Sequence, residues 1–203
     1  MSDLIRNDGV GFISRLLRLA MVLPIAMSAA HAQAAPGQVA KLVHNDYAGP
    51  LGTNADRFGD SVALDGDTLL VGAALGDSGT APDTGAAYVF TQDGTGNWTQ
   101  QAKLLPTSGG NGVSFGWVVA LDGDTAVVGA PGDDEVAADS GAVYVFTRTG
   151  GSWSLQQKLV ADDGVADDLF GYSVAVEGDT LLAGAYRSYQ AAATGGGSAY
   201  VFT

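Results

Sequence analysis

The phrase FGDSVALDGDTLLVGA at 58–73 returns as FGWVVALDGDTAVVGA at 115–130 and as FGYSVAVEGDTLLAGA at 170–185. Other landmarks keep step with it. Tyr88-Val89-Phe90, Tyr144-Val145-Phe146 and Tyr200-Val201-Phe202 follow the three copies, and Trp98 and Trp153 open the similar strings WTQQAKLL and WSLQQKLV. A catalytic centre needs to be built once, so a sentence spelled three times describes architecture. The spacing is longer than that of helical repeats and suits propellers and related arrays.

Each repeat divides into four strands. SVAL (61–64) and TLLVGA (68–73) flank Asp65-Gly66-Asp67, and Asp-Gly is a strong hairpin signal. AAYVFTQ (86–92) follows a Gly/Asp-rich loop, and the turn DGTGN (93–97) leads into WTQQAKLL (98–105). Four antiparallel strands in succession make one propeller blade, which cannot bury both of its faces alone. Composition agrees: of the 22 acidic residues only Glu135 and Glu177 are Glu, and there are 30 Gly. Asp and Gly belong to turns, not to helix faces. The expected fold is therefore all-β: a β-propeller of four-stranded antiparallel blades, with three repeats present.

The blades are expected at about 58–105, 115–160 and 170–203. GQVAKLV (37–43) matches a fourth strand, since Ala40-Lys41-Leu42 parallels Ala102-Lys103-Leu104 and Gln157-Lys158-Leu159, and it is assigned to the third blade, which stops after its third strand. Rings need about four blades or more. Three arrangements follow: the front portion of a longer propeller, which is the preferred one, two chains exchanging terminal strands in a ring of six, or an open arc.

Residue size fits a tapering blade. Gly72, Gly129 and Gly184, with the alanines beside them, lie on the inner strands, and Trp98 and Trp153 lie outside. In the pairs Phe58-Gly59, Phe115-Gly116 and Phe170-Gly171 the ring is expected between blades while Gly lets backbones approach closely.

These residues carry a resemblance. FG…VGA and FG…VGAP resemble FG-GAP repeats, found in the β-propeller head of integrin α chains and in many secreted bacterial proteins, over roughly residues 38–203. The resemblance implies blades of a propeller, typically seven-bladed, used for binding and adhesion, with calcium in some copies. In that family the calcium loop is an Asp-rich run between the FG and GAP phrases. Here it has shrunk to Leu-Asp-Gly-Asp-Thr twice and Val-Glu-Gly-Asp-Thr once. Two carboxylates cannot supply the six to eight oxygens that Ca²⁺ takes. Asp65, Asp122 and Glu177 thus read as turn residues.

The N-terminus has its own character. Arg6, Arg15 and Arg18 precede an apolar run from Leu19 to Ala30, and Ala30-His31-Ala32 and Ala32-Gln33-Ala34 fit A-x-A cleavage. Residues 1–34 read as a bacterial signal peptide, too short and too interrupted by Pro24 to span a bilayer. The chain is then exported, to the periplasm, cell surface or extracellular space, with no membrane attachment after cleavage. Its net charge of −13 excludes nucleic acid and anionic lipid as partners. There is no Cys, so packing or bound ions must replace disulfides.

Candidate sites are few. Two acidic loops carry enough carboxylate for one divalent ion each: Asp133, Asp134, Glu135 and Asp139 in PGDDEVAADSG, and Asp162, Asp163, Asp167 and Asp168 in ADDGVADDLFG. Calcium is the candidate cofactor there. Trp117 stands where the other repeats have Asp60 and Tyr172. With Tyr172, Tyr186, Arg187 and Tyr189 it is expected to line one propeller face as a platform for a protein or carbohydrate ligand. No nucleophile elbow, H-E-x-x-H or Walker loop is present, and His44, with Asp46 two residues on, lies in a linker. No catalytic residue is assigned. The expected function is a secreted, non-enzymatic propeller presenting loops for binding or adhesion. The alternatives are a calcium-stabilised structural module of a larger exported protein and, further off, a hydrolase using paired carboxylates.

Overall fold

The first strand of every repeat turns back through two residues, Gly66-Asp67, Gly123-Asp124 and Gly178-Asp179, and the flanking pairs are Asp65↔Thr68, Asp122↔Thr125 and Glu177↔Thr180. Only the first residue of each turn has positive φ, +52°, +54° and +54°, the signature of a II′-like hairpin that asks for Gly in that place. The turn thus centres on Gly-Asp, one residue later than the Asp-Gly reading. This shift leaves Asp65, Asp122 and Glu177 at strand ends, where their carboxylates are free to reach sideways.

The structure, a computed structural model, describes residues 37–45, 56–76, 84–107, 110, 112–188 and 196–203. The expected signal peptide, Asp46 and Tyr189 lie outside the described residues. The first sheet holds β1 (Val62–Asp65), β2 (Thr68–Ala73), β3 (Ala86–Gln92) and β4 (Trp98–Leu104) in that order. The second repeats it with β5 (Val118–Asp122), β6 (Thr125–Ala130), β7 (Ala142–Thr149) and β8 (Ser152–Leu159). The third has β9 (Phe170–Glu177), β10 (Thr180–Ala185) and β11 (Ser198–Phe202). All neighbours are antiparallel, so the expected all-β blade architecture is present as an open array of three. A bulge recurs at one place, between Val89 and Phe90 and between Val145 and Phe146, leaving Gln101 and Gln156 as the extra residues.

The core lies between sheets. Phe115 is fully buried among Leu70, Val89 and Leu104 of the first blade and Val128 and Tyr144 of the second. Phe170 repeats this with Val127, Val143 and Leu159 against Leu181 and Tyr200. Each FG ring meets its own blade's Tyr edge-on, at 5.5 Å for Phe58–Tyr88, 5.1 Å for Phe115–Tyr144 and 5.2 Å for Phe170–Tyr200. To place that ring, the preceding residue adopts a left-handed conformation in all three copies, with φ of +57° at Arg57, Ser114 and Leu169. Such a φ costs about 1–2 kcal/mol, while burying a Phe returns about 1.5–3 kcal/mol. Packing wins.

The Gly residues of FG and GA fit one another across each junction. A Cβ on Gly72 would lie 2.1 Å from the carbonyl oxygen of Gly116, and one on Gly129 would lie 2.1 Å from that of Gly171. The turn acids join the same junctions. Gly123 N–H donates to Asp65 Oδ2 at 2.7 Å, and Gly178 N–H donates to Asp122 Oδ2 at 2.6 Å. Asp65 and Asp122 are therefore more than turn formers: each ties its hairpin to the next blade's hairpin.

The N-terminal segment departs from expectation. Residues 37–44 form no strand, and the third sheet has three strands, with β11 at its edge. Leu42 packs on the first blade in the cluster that also holds Phe58 and Tyr88, and His44 stacks near those two rings at 5.3 and 5.0 Å. That contact closes a short stretch of chain, whereas pairing with β11 in the same molecule closes a very long one, so loop entropy favours the nearer site.

The turn between β3 and β4 is held by Asp93, which accepts from Thr95 Oγ1 at 2.7 Å, Asn97 N at 3.0 Å and Thr95 N at 2.8 Å. These donors, the Thr95 hydroxyl first, lower its carboxyl from 3.8 to about 2. A lowered carboxylate steadies the fold above its unfolded value, near 3.9, and that help fades as pH falls through about 2. An NMR titration should find the Asp93 midpoint near 2 in the native protein. Thr95→Ala should raise it toward the ordinary range; an unmoved midpoint removes the hydroxyl as the main cause.

Candidate functional site

The residue after each Phe-Gly pair sits at the same end of its blade, because Phe-Gly enters strand one in the same way each time. Those residues are Asp60, Trp117 and Tyr172. Trp117 and Tyr172 come from neighbouring blades and meet with ring centroids 5.3 Å apart. Tyr172 meets Tyr186, at the end of β10, at 4.4 Å. Each end of the row carries an arginine. The Arg57 guanidinium lies over Trp117 at 5.2 Å, and that of Arg187 lies over Tyr186 at 5.5 Å. Arg57 is held from behind by an ion pair with Asp60.

The result is one continuous band, Arg57–Trp117–Tyr172–Tyr186–Arg187, crossing all three blades. Tyr172 and Tyr186 keep 37% and 49% of their surface open, and Trp117 is half-buried. Four residues picked from the sequence are thereby brought together. Arg57 was not among them. Its signal was faint: a cation directly before an FG pair, in a chain with only 9 Lys and Arg. On an acidic protein the band is a local patch of opposite character, with flat rings for stacking and two guanidinium groups for acceptors.

The acidic loops are used differently from a metal site. Asp133 is buried, at 2% exposure, and accepts from Tyr144 Oη at 2.9 Å, Lys158 Nζ at 2.8 Å and Glu135 N at 3.1 Å. Glu135 reaches the same Lys158. Burial opposes charge on Lys158, but the bonds to Asp133 and Glu135 outweigh it and hold the ammonium above its ordinary range. Asp134 Oδ1 accepts from Asp139 N at 2.7 Å, closing the loop on itself.

In the second loop Asp163 accepts from Tyr200 Oη at 2.8 Å; burial first, then this bond, raises the phenol's pKa. Asp162 and Asp167 are exposed turn residues, and Asp167 N donates to Ala138 O at 2.9 Å, linking the two loops. Asp168 accepts from Val165 N at 2.9 Å through Oδ2, while its Oδ1 is buried without a partner. Among the described residues no three His, Asp or Glu side chains converge as a ligand set. Within the two loops Asp133 is met by Tyr144 and Lys158, Asp134 by the Asp139 N–H, Asp163 by Tyr200 and Asp168 by the Val165 N–H, each by a different donor.

His44 also has a structural task. Its Nε2 lies 3.2 Å from Asp56 Oδ2, beneath the first blade's rings. Trp153, expected on the outer strand edge, donates from Nε1 to Gln101 Oε1 at 2.8 Å across the first junction. Arg148 stacks on Trp153 at 5.2 Å and donates to Asp124 Oδ1 at 2.6 Å and Thr68 Oγ1 at 2.9 Å. The strained φ, the glycine pairs, the carboxylate ties and this clamp are all spent on joining blades.

No curated protein matches the chain. A family model for the FG-GAP repeat matches it three times, at residues 36–90, 98–146 and 153–202. Each matched unit begins at a fourth strand, or its sequence equivalent, and ends at the Tyr-Val-Phe strand of the following sheet. With three matches over most of its length and the FG residues at every blade junction, the chain belongs to the FG-GAP repeat family.

Proposed function

We propose that this chain is an exported, non-enzymatic binding module, and that its ligand is a protein seated on the band from Arg57 to Arg187. FG-GAP repeats in propeller-like sheets serve as binding or structural modules, and the family is generally non-enzymatic. The observation that carries the finer reading is the exposed aromatic band itself. Trp, Tyr and Arg are the residues that dominate protein-binding hot spots, and here one Trp, two Tyr and two Arg lie in contact, while Lys103, Arg148 and Lys158 are engaged elsewhere. Lys158 and Arg148 are tied into ion pairs, and Lys103 lies over Tyr88 at 5.4 Å.

Surface plasmon resonance of the immobilised chain against purified cell-surface proteins and soluble polysaccharides tests the reading. Trp117→Ala is expected to weaken protein binding by about 2 kcal/mol, roughly 30-fold, as removal of a central anchor does. Circular dichroism checks that the blades persist. Undiminished binding by both Trp117→Ala and Tyr172→Ala would sink the assignment, and binding of polysaccharide alone would redirect it to a carbohydrate ligand. The alternative of a calcium-stabilised scaffold is separated by calorimetric titration with Ca²⁺: heat together with a raised melting temperature favours the scaffold.

A further inference from the structure

The turn after each blade's second strand is built on one plan, and the third blade decorates it differently. Ala185 O accepts from Ser188 N at 3.2 Å, as Ala73 O accepts from Gly76 N at 2.9 Å and Ala130 O from Asp133 N at 3.2 Å. The two residues at the tip of this turn are Ala74-Leu75, Pro131-Gly132 and Tyr186-Arg187. Two more bonds pin the third turn. Ser188, 3% exposed, accepts from Gly197 N through its carbonyl and from Ser198 Oγ through its hydroxyl, both at 3.1 Å. Tyr186 and Arg187 are therefore presented by backbone that is fixed from both sides.

The two arginines of the band are not equivalent. Both stack, Arg57 on Trp117 at 5.2 Å and Arg187 on Tyr186 at 5.5 Å. Stacking occupies the face of a guanidinium and leaves its N–H donors, which lie in the plane, at the edge. At Arg57 that edge is engaged by the carboxylate of Asp60. Arg187 is exposed, and among the described residues no carboxylate pairs with it. Its fork is oriented by the Tyr186 ring, unused, and adjacent to the exposed rings of Tyr172 and Tyr186.

We propose, resting on the reading of the band as the binding surface, that its protein ligand offers an acidic side chain to Arg187 beside a ring residue laid on Tyr172 and Tyr186. A planar guanidinium takes a carboxylate through two parallel N–H bonds, the strong form of this contact. Because the Arg187 plane is already stacked, less side-chain freedom is lost when the acid arrives. Asp60 gives the other end the opposite preference, since it occupies Arg57 and repels a second carboxylate. The band thus has a direction, with the ligand's acid at Arg187 and its uncharged part toward Trp117. The net charge of −13 favours basic ligands at long range. Screening over about 10 Å at 0.1 M salt leaves the choice to the contact itself.

Three blocked dipeptides test this: acetyl-Tyr-Glu-amide, its neutral isostere acetyl-Tyr-Gln-amide, and acetyl-Tyr-Lys-amide. Each is titrated into the full chain at about 0.1 M salt, and NMR follows the ring resonances of Tyr172 and Tyr186. The Glu peptide is expected to bind about tenfold more tightly than the Gln peptide, as a charge-assisted hydrogen bond does. The Lys peptide is expected to bind most weakly. Arg187→Gln should bring the Glu and Gln peptides to parity, whereas Arg57→Gln should keep the preference. Parity in the unsubstituted chain, tightest binding of the Lys peptide, or a Glu preference that survives Arg187→Gln overturns the proposal. A preference lost equally in Arg57→Gln overturns the stated direction, and the proposal with it. In each of these cases the two rings still respond, so the binding surface stands and only its ligand chemistry falls. No response at either ring to any of the three peptides removes the surface as well.

Discussion

Gly141→Ala is expected to lose about 3–5 kcal/mol of stability, a loss at the top of the range for single substitutions. Gly141 has φ of +86° and forms a parallel bridge with Phe170, whose backbone nitrogen donates to Ser140 O at 2.9 Å. A Cβ there would lie 2.1 Å from Phe170 O and 2.5 Å from Phe170 N. Both are backbone atoms that cannot rotate away. The left-handed φ contributes about 1–2 kcal/mol, and the clash adds an overpacking cost of about 1–3 kcal/mol, with the bridge lost if the third blade swings out to relieve it. Gly178→Ala is the matched control: its φ is +54° and nothing lies within 4 Å of the added carbon, so about 1–2 kcal/mol is expected. Urea midpoints of the two variants decide it. Equal losses would show that the close blade-to-blade approach carries no weight.

Lys158→Met should rank next, at about 3–5 kcal/mol. It leaves the carboxylate of Asp133, 2% exposed, without the ammonium that offsets its charge. The cost therefore comes from the orphaned charge more than from the lost bond. The double variant Asp133→Asn/Lys158→Met should accordingly lose less than Lys158→Met alone, a non-additivity expected of contacting groups. The pH dependence has a definite sign. Lys158 titrates above its ordinary range because its hydrogen bonds to Asp133 and Glu135 outweigh burial. A cation raised in this way stabilises fully below the unfolded value, near 10.4, and the benefit is lost as pH rises through the folded value. The gap between wild type and Lys158→Met should hold steady from neutral pH to about 10 and narrow above it. A gap that narrows in mild acid would contradict the pairing.

Much of this was legible because the repeats are written in local code. The boundaries of β2 and β3 fall at Thr68–Ala73 and Ala86–Gln92, where alternation and turn residues put them. Phe115 and Phe170 occupy equivalent places between blades, and Phe58 meets its own blade's Tyr in the same way though it is only partly buried. The aromatic band was partly legible too, since Trp117 and Tyr172 share a repeat position. Arg57 and Asp60 were not, because their partners lie on the neighbouring blade or at a spacing that no motif advertises.

The acidic loops show the opposite case. A count of carboxylates suggested an ion, but which donors reach them depends on residues distant in sequence. Tyr144 and Lys158 come to Asp133 from two different strands, and Tyr200 comes to Asp163 from β11. Likewise Asp65 and Asp122 looked like turn formers until the next blade's Gly N–H groups were found against them.

What the sequence determined by itself was the unit: a hairpin after the first strand, though not its Gly-Asp centre, the period-two strands and the threefold phrase all follow from contacts between residues close along the chain. What only the tertiary structure decided was how units meet. Glycine fits glycine across a junction, a turn acid reaches the neighbouring turn, and Leu42 and His44 pack on the first blade from a segment that forms no strand. Local propensity is short-ranged and can be read in one dimension; the choice among partners for a carboxylate, a ring or a strand edge is settled by which surfaces arrive together, and that requires three.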